Sequence, residues 1–220
     1  MKKLLDNYWK HLETRKTTGN IGRPVLRWFP SEAFKFNEVE STLFQRFKEC
    51  KHILDIGAGD NTLKKKFIKY GFQGKYETFD VSREFEHDYY VLKDIKERYD
   101  GIIVLEVIEH LDLEEFFNLL EKINNIILPS GIFAISTPNP ACISSMWARD
   151  LTHIQQYPLQ DLLAILINRG YECEAYRVSL HPKRRLSLVY KLKYLLKKII
   201  TAKILEVDYA EGLLVIARKK

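Results

Sequence analysis

The chain has 220 residues, of which 46% are hydrophobic and 29% are charged. A chain of this length and apolar content can form one globular domain, which excludes a disordered tail. The three cysteines, Cys50, Cys142 and Cys173, show no CxxC spacing, which excludes a disulfide scaffold or a zinc finger and indicates a reducing compartment. No stretch has the roughly 18 consecutive apolar residues of a membrane span. Because Asp6 and Asn7 interrupt the apolar run near the start, no secretory signal is expected and a cytoplasmic protein is predicted.

The net charge of +6 is distributed unevenly along the sequence. Residues 1–50 carry ten Lys and Arg against six Asp and Glu, residues 51–180 carry 14 against 20, and residues 181–220 carry 11 against three. The acidic middle does not fit a dedicated nucleic-acid-binding module, in which cations usually cover the working face. Any contact with a polyanion is therefore expected at the two ends of the chain.

Residues 1–50 are predicted to form a helical cap that precedes the main domain. Within them, a helix is expected from Ser31, because apolar residues recur afterwards at helical spacing: Phe36, Val39, Leu43, Phe44 and Phe47. Three aromatic residues of the cap, Tyr8, Trp9 and Trp28, are candidate walls of a pocket.

From residue 51 onwards, short apolar runs alternate with amphipathic helical stretches. Six runs are predicted to be strands: residues 53–56, 76–79, 102–105, 132–135, 171–178 and 213–217. The alternation indicates an α/β fold built from βαβ units, with a parallel sheet covered on both faces. Ligands of such folds bind at the carboxyl ends of the strands, which is where functional residues are expected.

The main domain, residues 51–220, is predicted to carry a basic helical insertion at about residues 181–205. Residues 183–203 contain eight Lys and Arg and no acid. Drawn as a helix, they place apolar residues from Leu188 to Ile200 on one arc and cations such as Arg184, Lys191, Lys197 and Lys198 on the other. Two interpretations stay open: the apolar stripe packs on the protein's own sheet, or the helix contacts an anionic membrane or a polyanionic substrate.

The strongest local pattern is a hydrophobic strand that ends in Asp55 and runs into Gly57, Ala58 and Gly59 before a helix. Glycines at these positions let the backbone turn sharply and let a ligand approach without meeting a Cβ atom. The next strand ends at Asp80, 23 residues after Gly57, where a carboxylate can accept both hydroxyls of a ribose. The pattern indicates a nucleoside-containing cofactor. A dinucleotide is disfavoured, because its loop needs Gly or Ala where Thr62 stands.

The motif order resembles that of the class I S-adenosylmethionine (SAM) dependent methyltransferases. Six stretches carry the resemblance: residues 53–61, Asp80, residues 94–95, which resemble the pair after that family's third strand, and residues 105–111, 128–132 and 136–139. Residues 212–218 fit the antiparallel last strand. The resemblance implies a Rossmann-like three-layer α/β/α sandwich with a seven-stranded, mostly parallel sheet. Asn61 and Ser130 depart from the family pattern by standing where glycines are usual, although Asn tolerates a left-handed backbone.

The resemblance implies SAM as the cofactor and S-adenosylhomocysteine as the product. It assigns the methionine end to Asp55 and the glycines, the ribose to Asp80 and the adenine to Asp94. The residues expected to bind the cofactor are Asp55, Gly57, Ala58, Gly59, Asp80, Val81, Asp94, Ile95, Leu105 and Glu106. Carboxylates that face an amino group, a diol and an exocyclic amine are complementary in hydrogen bonding.

Two histidines near the strand ends, His110 and His153, are candidate catalytic bases for a hydroxyl acceptor. The alternative for His110 is that it only caps the following helix and frames the pocket. Glu106, Glu109, His110 and His153 also resemble the metal site of small-RNA 2′-O-methyltransferases and ubiquinone-pathway O-methyltransferases, so a divalent metal is a second alternative.

The sequence therefore predicts a SAM-dependent methyltransferase that acts on an oxygen of a small-molecule or glycan acceptor. The cap is expected to cover the cofactor as a lid and, with residues 139–157, to shape the acceptor pocket. Two alternatives remain: an RNA 2′-O-methyltransferase that uses the basic ends, and a non-catalytic protein that keeps the fold as a scaffold.

Overall fold

One mixed sheet organises the computed structural model, which describes residues 8–18, 23–28, 35–142, 150–180, 188–201 and 207–220. Within these ranges the sheet has seven strands: β1 (Val25–Trp28), β2 (His52–Ile56), β3 (Lys75–Phe79), β4 (Tyr99–Leu105), β5 (Ile127–Pro138), β6 (Tyr171–Leu180) and β7 (Gly212–Lys219). Their order across the sheet is β1-β6-β7-β5-β4-β2-β3. Only β7 runs antiparallel to its neighbours, β5 and β6. The mostly parallel sheet with an antiparallel last strand is thus confirmed.

Helices cover both faces of the sheet. The described helices are α1 (Tyr8–Thr17), α2 (Glu38–Phe47), α3 (Thr62–Lys69), α4 (Leu113–Ile126), α5 (Leu159–Ile167) and α6 (Leu188–Ile199). Side chains of α2 and α3 enter one apolar core and side chains of α4 and α5 enter the other. Helix α1 packs against α5, and His11 Nε2 lies 2.9 Å from Asp161 Oδ1. The predicted three-layer arrangement is confirmed.

The middle strands bury both faces, as strands of a covered parallel sheet must. In β4, Ile102 and Val104 enter the core under α4 and α5, whereas Ile103 enters the core under α2 and α3. All three side chains are fully buried. The continuous apolar run in β4 therefore reflects burial on both faces of the sheet. This packing holds in place the end of the strand, which carries part of the site.

Two helices begin with a reciprocal cap. In α2, the Glu40 backbone N–H donates to the Asn37 side chain and the Asn37 N–H donates to the Glu40 carboxylate, both at 2.9 Å. Asp112 and Glu115 form the same pair at the start of α4. Each pair satisfies two backbone N–H groups that have no partner within the first turn of the helix.

The N-terminal segment differs from its sequence-based prediction in two respects. Residues 25–28 form a strand, β1, which pairs in parallel with residues 177–180 of β6 and supplies the seventh strand of the sheet. The predicted helix begins after Asn37, and Ser31, from which it was expected, lies outside the described residues. The division into a cap at residues 1–50 and a domain at 51–220 stays a prediction, although part of the cap belongs to the sheet.

The third strand implied by the family resemblance is reduced to a single bridge. Tyr89 pairs in parallel with Phe79 at the open edge of β3, and residues 92–94 form one turn of 3₁₀ helix. The three cysteines, all of them described, form no disulfide.

Helix α6 does not pack its apolar stripe on the sheet. Six apolar residues of this segment are between 41% and 64% exposed: Val189, Leu192, Leu195, Leu196, Ile199 and Ile200. The first of the two interpretations of this segment is therefore wrong for these side chains. Among the described residues, no helix has the length and hydrophobicity needed to cross a membrane.

Candidate active site

A cavity of about 580 Å³ lies where the parallel strands end. Its wall includes Asp55 near the end of β2, Leu105 and Glu106 at the end of β4, and Ser136 in β5. The rim also includes Leu180, the last residue of β6, and Gly212, the first residue of the antiparallel strand β7. This is the edge of a doubly wound sheet at which ligands bind.

The glycine loop, residues 55–61, forms one wall of the cavity. Gly57 has φ 76° and Gly59 has φ 53°, both in the left-handed region that favours glycine. A Cβ atom added to Gly57 would overlap the side chain of Val107. Asn61 has φ 60° and precedes α3, so it adopts the left-handed backbone expected where the family has a glycine.

Asp55 is a buried carboxylate at the base of this loop, and it lines the cavity. The Tyr76 hydroxyl donates a hydrogen bond of 2.8 Å to it. Burial raises the pKa of Asp55 to about 7, although the Tyr76 hydrogen bond opposes this shift. The carboxyl group therefore exchanges its proton in the neutral pH range.

Asp80 stands beside the glycine loop at the end of β3. Its carboxylate accepts hydrogen bonds from the backbone N–H groups of Gly59, at 2.9 Å, and Ser82, at 2.8 Å. The neighbouring Val81 is 79% exposed, so it offers apolar surface next to the carboxylate. The geometry brings Asp80 to the loop as the sequence predicted, although neither Asp80 nor Val81 belongs to the wall of the cavity.

The predicted adenine pair, Asp94 and Ile95, is not part of the cavity wall. Asp94 is exposed, whereas the Ile95 side chain is completely buried in the core under α4. The Ile95 carbonyl accepts a 2.6 Å hydrogen bond from Lys122. Any contribution of Ile95 to a ligand must therefore come from its backbone.

Glu106 has an unusual backbone for a residue other than glycine. Its φ of 52° is left-handed, a conformation that costs about 1–3 kcal/mol and tends to occur at functional sites. Ser136 holds it there: the Glu106 N–H donates to the Ser136 hydroxyl oxygen at 3.1 Å, and that hydroxyl is 2.5 Å from the Glu106 carboxylate. Glu106 is consequently presented to the cavity from the end of β4.

Glu109, His110 and His153 come together beside Glu106. One ligand atom from each lies within 4.8 Å of the others, and we call these three residues the Glu/His cluster. The imidazole rings of His110 and His153 meet edge to face, with their centroids 4.8 Å apart. Of the four residues predicted as a metal set, three form this cluster, and Glu106 is instead held by Ser136.

The loop that carries His153 is fastened to the cluster. The Glu109 carbonyl accepts hydrogen bonds from the backbone N–H groups of Ile154, at 2.9 Å, and Gln155, at 3.1 Å. His110 Nδ1 lies 3.2 Å from the Thr152 carbonyl oxygen. These contacts place residues that are more than 40 positions apart in the sequence in one wall of the cavity.

Glu109 is the most unusual member of the cluster. Its side chain is completely buried, and neither carboxylate oxygen has a hydrogen-bond partner among the described residues. Burial, together with the nearby carboxylate of Glu106, raises the pKa of Glu109 to about 8. The pKa of Glu106 is also raised, because the surrounding walls of the cavity reduce the solvation of its carboxylate. Two neighbouring carboxyl groups in this position need a proton or a cation.

A family model described as a methyltransferase domain matches residues 32–176, more than half of the chain. This chain is a class I SAM-dependent methyltransferase. S-adenosylmethionine is its cofactor, as the resemblance implied. No curated protein sequence matches the chain with significance.

Solved structures share the fold at low sequence identity. A SAM-dependent methyltransferase from Archaeoglobus fulgidus is 20% identical, with a TM-score of 0.62 over 82% of this chain and 93% of that one. The N-methyltransferase NodS from Bradyrhizobium japonicum is 14% identical, with a TM-score of 0.51 over 81% and 93%. An O-methyltransferase family protein from Burkholderia thailandensis is 10% identical, with a TM-score of 0.52 over 83% and 57%. The fold is thus found with both nitrogen and oxygen acceptors.

The glycine loop of this methyltransferase suits SAM, which carries no phosphate. The two nearest lysines of α3 both have partners: Lys64 Nζ is 3.3 Å from the Asp88 carboxylate, and Lys65 donates to the Asp60 carbonyl of the loop itself at 3.0 Å. Carboxylates at Asp55 and Asp80 are available instead, beside a left-handed loop that leaves room for a ligand. The residues therefore fit the cofactor.

Part of the predicted lid reaches the cavity of the methyltransferase. Trp28, Val39 and Glu40 line it. Trp9 is 77% exposed and is not part of the cavity wall, and the Tyr8 side chain lies outside the description. Residues 143–149 of the predicted acceptor loop, and residues 29–34 of the cap, also lie outside the described residues.

Sequence reasoning missed several residues of the site. Ser136 was assigned to a strand end without a role, yet it positions Glu106. Tyr76 and Thr152 were not singled out, although they contact Asp55 and His110. Their only signal in the sequence is a place near the ends of predicted strands or next to a candidate residue.

Proposed function

We propose that this methyltransferase transfers the methyl group of SAM to a hydroxyl oxygen of a small-molecule or glycan acceptor. The observation that supports the proposal is the Glu/His cluster, which lies in the same cavity as the glycine loop. Oxygen acceptors of this kind must lose a proton during the reaction, whereas a neutral amine attacks before it loses one. A cavity equipped with two imidazoles and a carboxylate can take up that proton.

The bound cofactor supplies an electrophilic methyl group on a sulfonium. In-line displacement then depends mainly on alignment of the acceptor oxygen, to which a well-positioned cavity can contribute many orders of magnitude in rate. On the protein side, Asp55, Asp80 and the loop from Gly57 to Gly59 would hold the cofactor. Residues of β4 and β5, including Leu105 and Ser136, would form the floor between cofactor and acceptor.

His153 and His110 are the proposed proton acceptors. Asp150 lies 3.9 Å from His153 Nε2, close enough for its charge to stabilise a protonated imidazole. His110 has its Nδ1 beside the Thr152 carbonyl, which favours the tautomer that carries its proton on Nδ1. The second ring nitrogen of His110 is then a base.

A divalent cation at the same cluster is a second candidate, and the buried Glu109 carboxylate favours it. One carboxylate and two imidazoles form a ligand set common to several transition metals. Such an ion would lower the pKa of a bound acceptor hydroxyl. Glu109, His110 and His153 would hold it, with Glu106 beside them.

The test is transfer of labelled methyl groups from SAM to a panel of hydroxyl and amine acceptors, with His153→Ala and the matched control His87→Ala. If His153 acts as the base, its removal should lower kcat by roughly 100-fold or more with little change in SAM affinity. His87 lies outside the cavity wall, so its variant should keep wild-type turnover. Unchanged turnover of His153→Ala, or activity confined to amines, would contradict the proposal.

Chelation separates the two candidates. Treatment with EDTA followed by add-back of single divalent ions should leave activity unchanged if the imidazoles work alone. Loss and recovery of activity, together with one bound metal ion per chain that Glu109→Gln removes, would establish the metal instead. RNA with free 2′-hydroxyls belongs in the acceptor panel, because the basic ends leave that alternative open. SAM binding without turnover on any acceptor would favour the scaffold alternative.

A further inference from the structure

Helix α6 belongs to an insertion that begins and ends at the cavity. The strand before it ends at Leu180, and the segment after it reaches Glu211 and Gly212, all three of which line the cavity. Because eight residues span at most about 28 Å when fully extended, the start of α6 lies within that distance of Leu180. The helix is therefore tethered to the rim of the active site.

The return from α6 to the sheet is firmly held. Asp208 is buried and accepts hydrogen bonds from Arg177, at 2.9 Å, and from the Asn139 side chain, at 3.1 Å. Asn139 also donates to the Ala210 carbonyl at 2.9 Å. The Val207 N–H donates to the Thr201 carbonyl at 3.0 Å, which joins this anchor to the end of the helix.

The helix exposes apolar side chains that are normally buried when a protein is surrounded by water. Leu192 is 57% exposed and Leu195 is 51% exposed, and four further aliphatic residues accompany them: Val189, Leu196, Ile199 and Ile200. At 100° per residue these six positions span roughly 140° of the helix. An apolar arc of this width is typical of a helix that lies in a membrane interface.

The charge of the helix indicates what covers that arc. Residues 188–199 include four lysines and no acid, and residues 183–203 include eight Lys and Arg and no acid. Lys193, whose side chain is described, is exposed at the edge of the apolar arc. A second copy of the chain would bring like charges together, and a nucleic acid would leave the aliphatic residues in water. An anionic bilayer satisfies both the apolar arc and the cations.

We propose that α6 docks on an anionic phospholipid surface, with its aliphatic residues inserted at the boundary of headgroups and acyl chains. The docked helix holds the cavity of the methyltransferase at the membrane through its two tethers. The docking depends on α6 alone and is independent of the acceptor atom.

The experiment is co-sedimentation of the full-length protein with phosphatidylcholine vesicles, with and without phosphatidylglycerol. Binding should require phosphatidylglycerol and should weaken as salt is raised, because the charge contribution is screened. Leu192→Glu combined with Leu195→Glu should reduce the partition coefficient by at least about 50-fold, since it removes apolar contact and adds repulsion.

Replacing Lys191, Lys193, Lys197 and Lys198 with Gln should weaken binding by about 600-fold, at roughly fivefold for each lysine. The matched control replaces four lysines elsewhere, Lys10, Lys16, Lys48 and Lys69, and should change binding much less. SAM affinity and the thermal midpoint identify variants that fold normally. Equal binding to neutral vesicles, no binding to either, or self-association that the double Leu variant abolishes would overturn the proposal.

Discussion

The two walls of the cavity are built in different ways. One wall is the glycine loop, which follows β2 and lies beside Asp80 at the end of the adjacent strand β3, and its geometry comes mainly from the local backbone. The Glu/His cluster instead joins the turn after β4 to a loop more than 40 residues later, through hydrogen bonds such as those from Ile154 and Gln155 to Glu109. The wall formed by the glycine loop therefore depends on allowed backbone angles, whereas the wall formed by the Glu/His cluster depends on long-range contacts.

The largest expected effect comes from Gly57→Ala. The substitution puts a Cβ atom on a residue with φ 76° and against Val107, so the loop must move. SAM affinity should fall by at least about 100-fold in calorimetric titration. Gly59→Ala is the control, because it shares the left-handed angle but meets no atom within 4 Å. If Gly59→Ala lowers SAM affinity as much as Gly57→Ala does, the backbone angle alone explains the loss. If neither substitution lowers SAM affinity, the loop does not bind the cofactor.

The next effect concerns pH. Because burial raises the pKa of Asp55 to about 7, the carboxyl group is protonated below that pH in the free protein. The positively charged cofactor favours the ionised form, so SAM affinity should rise with pH and level off above about 7. It should be about tenfold weaker at about pH 6 than on the plateau. Asp55→Asn should remove this dependence, and a pH dependence that survives the substitution would assign the titration to another group.

The same raised pKa has a consequence for stability. The contribution of Asp55 to the free energy of unfolding is fully present below about pH 4, the pKa of the unfolded chain, and is lost as pH rises through about 7. In urea unfolding, the free energy of unfolding of the wild type, relative to that of Asp55→Asn, should therefore fall as pH rises from about 4 to about 7.

A smaller and more selective effect is expected from Ser136→Ala. The variant removes the hydroxyl that lies 2.5 Å from the Glu106 carboxylate and supports its strained backbone. Turnover should fall by about tenfold, since a hydrogen bond to a carboxylate contributes about 1.5 kcal/mol or more. SAM affinity should change by less than about threefold, which would separate the two walls. An equal loss of affinity and turnover would show that Glu106 contributes to SAM binding together with the glycine loop.

The smallest effect tests backbone angles outside the cavity. Ser130 is exposed and has φ 60°, so Ser130→Gly should raise the free energy of unfolding by about 0.5–1 kcal/mol without changing turnover. The same substitution at Ser41, inside α2, should lower it by a similar amount. Urea unfolding measures the change in the free energy of unfolding for both variants. If the two changes have the same sign, the backbone angle φ does not decide the effect of the substitution.

The sequence allowed much of the fold to be predicted, because its signals are local. Each of the six predicted strands lies inside an observed one, and Asn61 and Ser130 adopt the left-handed backbone expected of glycine substitutes. The missed strand, β1, has only four residues, and its partner residues in β6 lie about 150 positions later in the sequence. Such pairing leaves no periodic pattern to detect.

The sequence indicates which residues lie at the cavity where a motif fixes the backbone, but not where side chains meet across the fold. Both histidines were identified from their places after strands, yet the unpartnered burial of Glu109 is visible only in three dimensions. The exposed face of α6 was likewise undecidable from periodicity, because a buried stripe and a membrane-facing stripe have the same spacing.

The first strand of the sheet has a practical consequence for truncation. The family match begins at residue 32, after β1 has ended. A protein trimmed to that boundary would lose the parallel partner of residues 177–180 and would leave the edge of β6 without its ladder of backbone hydrogen bonds. Open edges of this kind recruit strands from neighbouring molecules. Shortened forms should therefore aggregate, and the boundary for expression belongs before Pro24, whose carbonyl accepts a hydrogen bond from Arg177.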